Sequence, residues 1–229
     1  MFFMSSDDKI KKLLSKLVFK SKLYLYLLKQ KVFFKYIEAL SLFMKKQIVI
    51  FISGKGSNAL NIINYFSETE NLTVSHVYSN NKTSPFFDHK LNSNIKVSYF
   101  QNDDLNAKVF QELQHIKPDL IVLAGFLKKI PISYLDYFKK MIINIHPSLL
   151  PKYGGKGMYG SRIHDKVIEN NEIETGITIH YVSEQYDSGE IIFQRKIGVD
   201  ENDTAKSIEK KIHKLEHKYL PKIIESILI

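Results

Sequence analysis

Residues 47–52 read Gln-Ile-Val-Ile-Phe-Ile and stop at Ser53-Gly54. Such an uninterrupted apolar run offers no face to water. A short β-branched segment of this kind is a strand covered on both sides, as in a parallel sheet. The next stretch, 57–67, changes period: Leu60, Ile62, Ile63 and Phe66 share one side of a helix. A doubly covered strand followed by an amphipathic helix commits the chain to α/β layers. The alternation continues with strands at 72–78 and 95–100 and a helix at 103–116 capped by Asp103 or Asp104. Pro118-Asp119 launches a buried strand at 120–124, a short strand follows at 141–145, and a helix at 161–169. Strands at 176–183 and 190–199, joined by a turn at Asp187-Ser188-Gly189, form an antiparallel extension. A long helix at 204–228, capped by Asp203 or Thr204, ends the chain. The expected fold is a doubly wound, Rossmann-like mixed sheet.

Length and charge divide the chain. Its 229 residues suit one domain plus an appendage. Residues 1–43 carry nine lysines against Asp7, Asp8 and Glu38, two-thirds of the net charge of +9. Lysines interrupt its apolar runs well short of the ~20 residues of a membrane span, and no signal-peptide cleavage pattern follows. The division is therefore a Lys-rich extension at 1–43 and a single domain at 44–229, with Met44 as a natural start. Arg162 and Arg195 are the only arginines. Nucleic-acid recognition favours arginine for bidentate contacts, so no nucleic-acid partner is expected. With no cysteine, disulfide scaffolds, thiolate metal sites and cysteine nucleophiles are excluded.

Three constellations carry chemistry. Ser53-Gly54-Lys55-Gly56-Ser57-Asn58 joins the first strand to the first helix. Its glycines permit a tight turn that aims free helix N–H groups at an anion, most naturally a phosphate. An ordinary turn capped by Ser57 is the alternative. The second is Asn144-Ile145-His146-Pro147, where alternation puts the Asn and His side chains on one face of a strand end. Open α/β sheets place ligands there, and an amide beside an imidazole can stabilise an oxyanion while a proton moves. The third is Tyr186-Asp187-Ser188-Gly189, whose carboxylate is a candidate partner for His146 that would raise the imidazole pKa; Asp-Ser-Gly is also ordinary turn chemistry.

From Lys46 to about Ile224 the chain resembles the phosphoribosylglycinamide formyltransferase family, folate-dependent formyl transferases of purine biosynthesis. The resemblance rests on Ile-Ser-Gly-Lys-Gly-Ser-Asn at 52–58, Val-Leu-Ala-Gly-Phe-Leu at 122–127 and Asn-Ile-His-Pro-Ser-Leu-Leu-Pro-Lys-Tyr at 144–153. Tyr-Asp-Ser-Gly at 186–189 and Leu-Glu-His-Lys-Tyr-Leu-Pro at 215–221 complete it. It implies the formyltransferase fold and direct formyl transfer from 10-formyltetrahydrofolate, a co-substrate, to the amine of glycinamide ribonucleotide. No metal and no covalent enzyme adduct are implied. Asn144 then stabilises the oxyanion, His146 assists proton transfer and Asp187 holds the histidine. Gly54, Gly56, Ser57, Asn58 and Pro147 fall to the ribonucleotide, as does Glu216, otherwise a solvated helix position. Phe126, Leu127, Lys128, Ile130, Ile142, Val182 and Tyr186 fall to the folate pterin, with plain core packing as their alternative. A cytoplasmic enzyme, monomer or homodimer, with no stable membrane anchor is implied.

Some residues depart from the family pattern. Lys55 stands where Asn is common, and its ammonium would tighten phosphate binding. The glycine-rich stretch 154–160 reads as a mobile flap. His164 reads as a peripheral or surface residue, and His180 as a hydrogen-bonded core histidine. Competing functions are formyltetrahydrofolate hydrolysis and formyl transfer to another amine, including the aminoacyl group of initiator tRNA. A membrane- or RNA-binding module using 9–43 is the non-enzymatic alternative.

Overall fold

The computed structural model describes residues 45–229 and, upstream of these, Gln30 alone; the Lys-rich extension at 1–43 otherwise lies outside the described residues, as does Met44. The elements run β1 (Lys46–Ile52), α1 (Ser57–Phe66), β2 (Leu72–Ser79), β3 (Lys96–Tyr99), α2 (Lys108–Ile116), β4 (Leu120–Leu123) and α3 (Ile132–Phe138). They continue β5 (Ile142–His146), α4 (Ser161–Glu169), β6 (Glu174–Tyr181), β7 (Ile191–Gly198) and α5 (Ala205–Leu228). Short 3₁₀ turns lie at Pro85–Asp88 and Asn102–Asn106.

The strands form one seven-stranded sheet in the order β3-β2-β1-β4-β5-β6-β7. Pairing is parallel from β3 through β5 and antiparallel for β5–β6 and β6–β7. The order reverses between β1 and β4, so the chain leaves a crevice beyond the carboxyl ends of these strands. Strand β1 shows why its sequence is apolar throughout. Ile48, Ile50 and Ile52 enter one core with α1, α4 and α5, while Val49 and Phe51 enter a second with α2 and α3. All five are fully buried. At about 25 cal/mol per Å² of apolar surface, each contributes roughly 2 kcal/mol.

Two expectations need correction. The helix expected at 103–116 is broken: Asp104 accepts a hydrogen bond from the Gln101 N–H at 3.0 Å, tightening 102–106 into a 3₁₀ turn. Ala107, at φ −119° and ψ −80°, then separates it from α2. Neither Asp103 nor Asp104 is the cap of α2. The break turns Leu105 into the core, where its carbonyl accepts a 2.6 Å hydrogen bond from the Tyr134 hydroxyl. Helix α3, which the sequence pattern does not reveal, buries Tyr134 and Phe138 one turn apart.

Helix α5 contains Pro221, which has no N–H to give to the carbonyl four residues earlier. That carbonyl, of His217, instead accepts a 2.8 Å hydrogen bond from Asn61 Nδ2. A local defect of α5 thereby becomes its polar link to α1. Thr204 caps α5, as one of the two expected residues, by accepting from the Ser207 N–H at 3.2 Å.

Candidate active site

The antiparallel register of β5 and β6 sets Asn144 opposite His180. Cross-strand neighbours share a face, so the two side chains meet over the sheet. Asn144 Nδ2 lies 3.1 Å from His180 Nε2 and donates to Asp187 Oδ1 at 3.5 Å. His146, two residues along β5 and buried, places Nδ1 3.5 Å from the same Asp187 oxygen. Strand alternation, as expected, puts Asn144 and His146 on one face, and the turn after β6 brings Asp187, a candidate partner that spacing left open, to both. His180 joins them, 3.7 Å from Asp187 Oδ1. It is a hydrogen-bonded histidine, as expected, but it belongs to the site rather than to the anonymous core. Cross-strand register, invisible in sequence spacing, puts it there.

Asp187 is held from three sides. It sits at φ +54°, in the left-handed region, on the turn between β6 and β7. The Gly155 N–H donates to its Oδ2 at 2.8 Å. Burial alone would raise its pKa; the polar groups facing it, the Gly155 N–H among them, outweigh burial and hold it below the usual carboxylate range. The glycine-rich stretch is thus tied to the site at Gly155. Gly189 closes the turn where a Cβ would run into the Tyr181 carbonyl.

His146 differs from expectation in its electrostatics. Burial lowers its pKa, and the opposing pull of Asp187 does not restore it. At neutral pH the ring is a free base. Its Nε2 faces the Tyr153 carbonyl at 2.8 Å, and a carbonyl only accepts. Nε2 therefore carries the proton, leaving Nδ1 open toward Asp187. Tyr153 holds that carbonyl at a strained φ of +57°, with its hydroxyl bonded to Glu172 and Asn170 at 2.8 Å each.

A cleft opens beside this cluster. Phe126, Lys128, Ile130, Val182 and Tyr186 line it together with Asn144, His180 and Asp187. Of the seven positions assigned to a pterin, these five fall on the lining. Leu127 is turned outward, 46% exposed, and Ile142 is buried in the second core; neither lines the cleft. Plain packing accounts for Ile142.

The glycine loop lies across the crevice. The N-cap of α1 is Gly56, at φ +72°, and no side chain caps the first turn; Ser57 is the first helical residue, not the cap. A Cβ at Gly56 would strike the Phe86 ring. Gly54 and Lys55 are exposed and Ser57 is half-buried. Pro147, half-buried, directly follows β5. Beneath the loop, Asn58 Nδ2 donates to Glu216 Oε2 at 3.0 Å, while the Asn58 carbonyl oxygen is buried without a partner. Glu216 is 5% exposed, so the solvated-helix alternative fails. Burial raises its pKa, opposed by Asn58 and His213. His164 is buried as well, not on the surface, and burial lowers its pKa. It lies on α4 within electrostatic reach of Glu209 and His213 of α5, groups 45 residues or more away along the chain.

Fold, crevice and polar cluster define the class: an α/β protein with an open mixed sheet and a polar cluster at the carboxyl end of a central strand. The comparisons place the chain within that class: residues 46–224 match the formyl transferase family model, and the chain belongs to that family. A phosphoribosylglycinamide formyltransferase of Arabidopsis thaliana is 35% identical over 191 residues, covering 80% of this chain and 65% of the relative. That of Bacillus subtilis is 40% identical over 131 residues, covering 57% of this chain and 65% of the relative. The match thus spans slightly under two-thirds of these relatives' length. The crystal structure of the phosphoribosylglycinamide formyltransferase of Anaplasma phagocytophilum superposes with a TM-score of 0.72 at 30% identity, covering 80% of this chain and 87% of that one. Among the described residues no helix is long and apolar enough to cross a membrane, and no group of three or more His, Asp or Glu side chains is arranged to hold a metal ion.

Proposed function

We propose that this chain transfers the formyl group of 10-formyltetrahydrofolate to the amine of glycinamide ribonucleotide, giving formylglycinamide ribonucleotide and tetrahydrofolate in purine biosynthesis. The observation that carries the reading is the meeting of Asn144, His146 and Asp187 at the open end of β5, beside a cleft with apolar walls. Names of the relatives and membership of the family support the substrate pair.

The residues divide the labour by chemistry. His146 is neutral at working pH and its Nε2–H is committed to Tyr153, so the acceptor amine loses its proton to Nδ1. Asp187, 3.5 Å away, stabilises the imidazolium that results, which returns the proton to the folate N10 as the bond from N10 to the formyl carbon breaks. General base catalysis of this kind supplies about 10²–10⁴ in rate. An Asn144 N–H turns to the formyl oxygen as charge develops there, worth about 10²–10³. Phe126, Ile130 and Val182 offer an apolar lining to a fused heteroaromatic ring, and Asn144, His180 and Asp187 of the same lining offer polar groups. The uncapped first turn of α1 takes the phosphate. Glu216 accepts from a sugar hydroxyl, and the unpartnered Asn58 oxygen stands beside it.

The test is turnover of the purified protein with both substrates, followed by absorbance of the folate product. Turnover that requires the ribonucleotide is expected. Deformylation without it would instead identify a hydrolase. The same reading assigns catalysis to residues 44–229, so protein beginning at Met44 retains full turnover. Loss of turnover on that truncation would make 1–43 part of the working enzyme. A cytoplasmic enzyme, monomeric or homodimeric, completes the reading and is open to fractionation and light scattering.

A further inference from the structure

We propose that His180 is a positioning residue: through its fixed tautomer it decides which end of the Asn144 carboxamide faces the cleft. The proposal rests on the transferase reading for its kinetics, but not for its geometry.

An asparagine side chain is nearly symmetric in shape, so packing alone does not choose between its oxygen and its nitrogen. Only the nitrogen end can donate to an oxyanion. The choice is made by a chain of bonds starting in the backbone. The Tyr181 carbonyl lies 2.9 Å from His180 Nδ1. A carbonyl cannot donate, so Nδ1 carries the ring proton. Nε2, the other ring nitrogen, is then the acceptor, and it faces Asn144 at 3.1 Å. An amide oxygen there would set lone pair against lone pair, so the amide must present Nδ2. The second N–H meets another acceptor, Asp187 Oδ1, at 3.5 Å. His180 Nε2 and Asp187 Oδ1 stand 3.7 Å apart, both beside the same NH₂ group.

The two bonds are unequal. The bond to His180 is the shorter, and its ring is only 2% exposed. The bond to Asp187 is at the outer limit of hydrogen bonding. The weakly held N–H is the one free to swing to the substrate, while His180 keeps the amide from inverting. Gly189 protects the start of the chain, because a side chain there would displace the Tyr181 carbonyl.

The experiment uses the full chain. In H180M the acceptor is lost while bulk is kept; kcat should fall about 10–100-fold, with KM for both substrates within about twofold. H180Q restores an acceptor oxygen near Nε2 and should recover most of that loss. In an N144A background, H180M should cost less than about twofold, since no amide remains to orient. Full additivity in the double variant, or equal loss in H180Q and H180M, overturns the proposal. Long-range ¹H–¹⁵N spectra of the wild-type ring test it without any turnover: the Nδ1–H tautomer is expected, and the Nε2–H tautomer overturns it. Absence of wild-type turnover with glycinamide ribonucleotide would strike the proposed function alone, leaving the tautomer result to decide the positioning role.

Discussion

The two ends of the crevice are built in opposite ways. At one end Asn144 and His146 stand two residues apart on a single strand, and Asp187 reaches them from a tight turn. At the other end Asn58 and Glu216 meet across 158 residues, from two helices. The first pair owes its geometry to the strict alternation of a β-strand. The second owes it to how α1 and α5 pack, which no local spacing encodes. The strand end orders reactive atoms with respect to one another. The helix end offers hydrogen-bonding groups to a ligand and leaves the Asn58 oxygen without a partner in the protein. On the proposed function, chemistry belongs to the first region and binding to the second, and variants should separate them.

The sharpest separation is expected at the strand end. H146A or D187N should lower kcat by about two to four orders of magnitude with the fold intact by circular dichroism. Ribonucleotide KM should change little. Near-normal turnover in either variant would remove that residue from the chemistry and erase the contrast. At the helix end the pattern should invert. E216Q keeps the shape but weakens an acceptor, and should raise ribonucleotide KM about 10-fold with a smaller change in kcat. S57P removes one N–H at the first helical position, where proline is tolerated, and should weaken ribonucleotide but not folate binding. Calorimetric titration with each substrate is the check. Equal loss of both would mean that the loop serves the whole site.

Much of the strand end is legible in the amino-acid order alone. Apolar runs announce β1 and β4, and the Asn-Ile-His spacing announces the shared face. What escapes reading depends on contacts between distant segments. His180 enters the site only because β6 runs antiparallel to β5 in a particular register. Glu216 looks like any charged helix residue until Asn58 covers it, and only family resemblance singles it out. The direction of the His146 shift runs against the motif for a related reason. The carboxylate neighbour is visible in the sequence, while the burial that outweighs it is a property of the assembled core. Helix α3 and the break at Ala107 stay hidden because short apolar elements lack a period long enough to read.

The pH dependence probes the strand end more finely. On the proposed function His146 works as a base, and burial puts its pKa below the ordinary imidazole value of 6.5. The rate should therefore rise through a midpoint below 6.5 and stay flat above it. Asp187 pulls the pKa upward, so D187N should move the midpoint lower while reducing the plateau. An upward movement would contradict the assigned contact. Stability has the same sign. An imidazole held neutral in the fold binds fewer protons than its unfolded counterpart below pH 6.5. His146 and His164 should both cost stability as pH falls from 6.5 toward their lowered folded values.

The smallest effect tests whether the helix end is shaped for ligand or merely for packing. Asn61 binds no proposed substrate group; it satisfies the His217 carbonyl that Pro221 leaves free. N61A orphans a part-buried carbonyl and should cost about 1 kcal/mol, read as a lower urea midpoint at unchanged slope. Since α1 also carries Asn58, any slackening of the α1–α5 contact would reach the Asn58–Glu216 pair one turn away. If the two helices are held chiefly by Ile62, Phe66, Ile212 and Leu220, that pair keeps its place and ribonucleotide KM is unmoved. A rise in KM exceeding about threefold would instead make the Asn61 link a determinant of the binding end. Distant residues would then set the precision of that region as firmly as strand alternation sets the other.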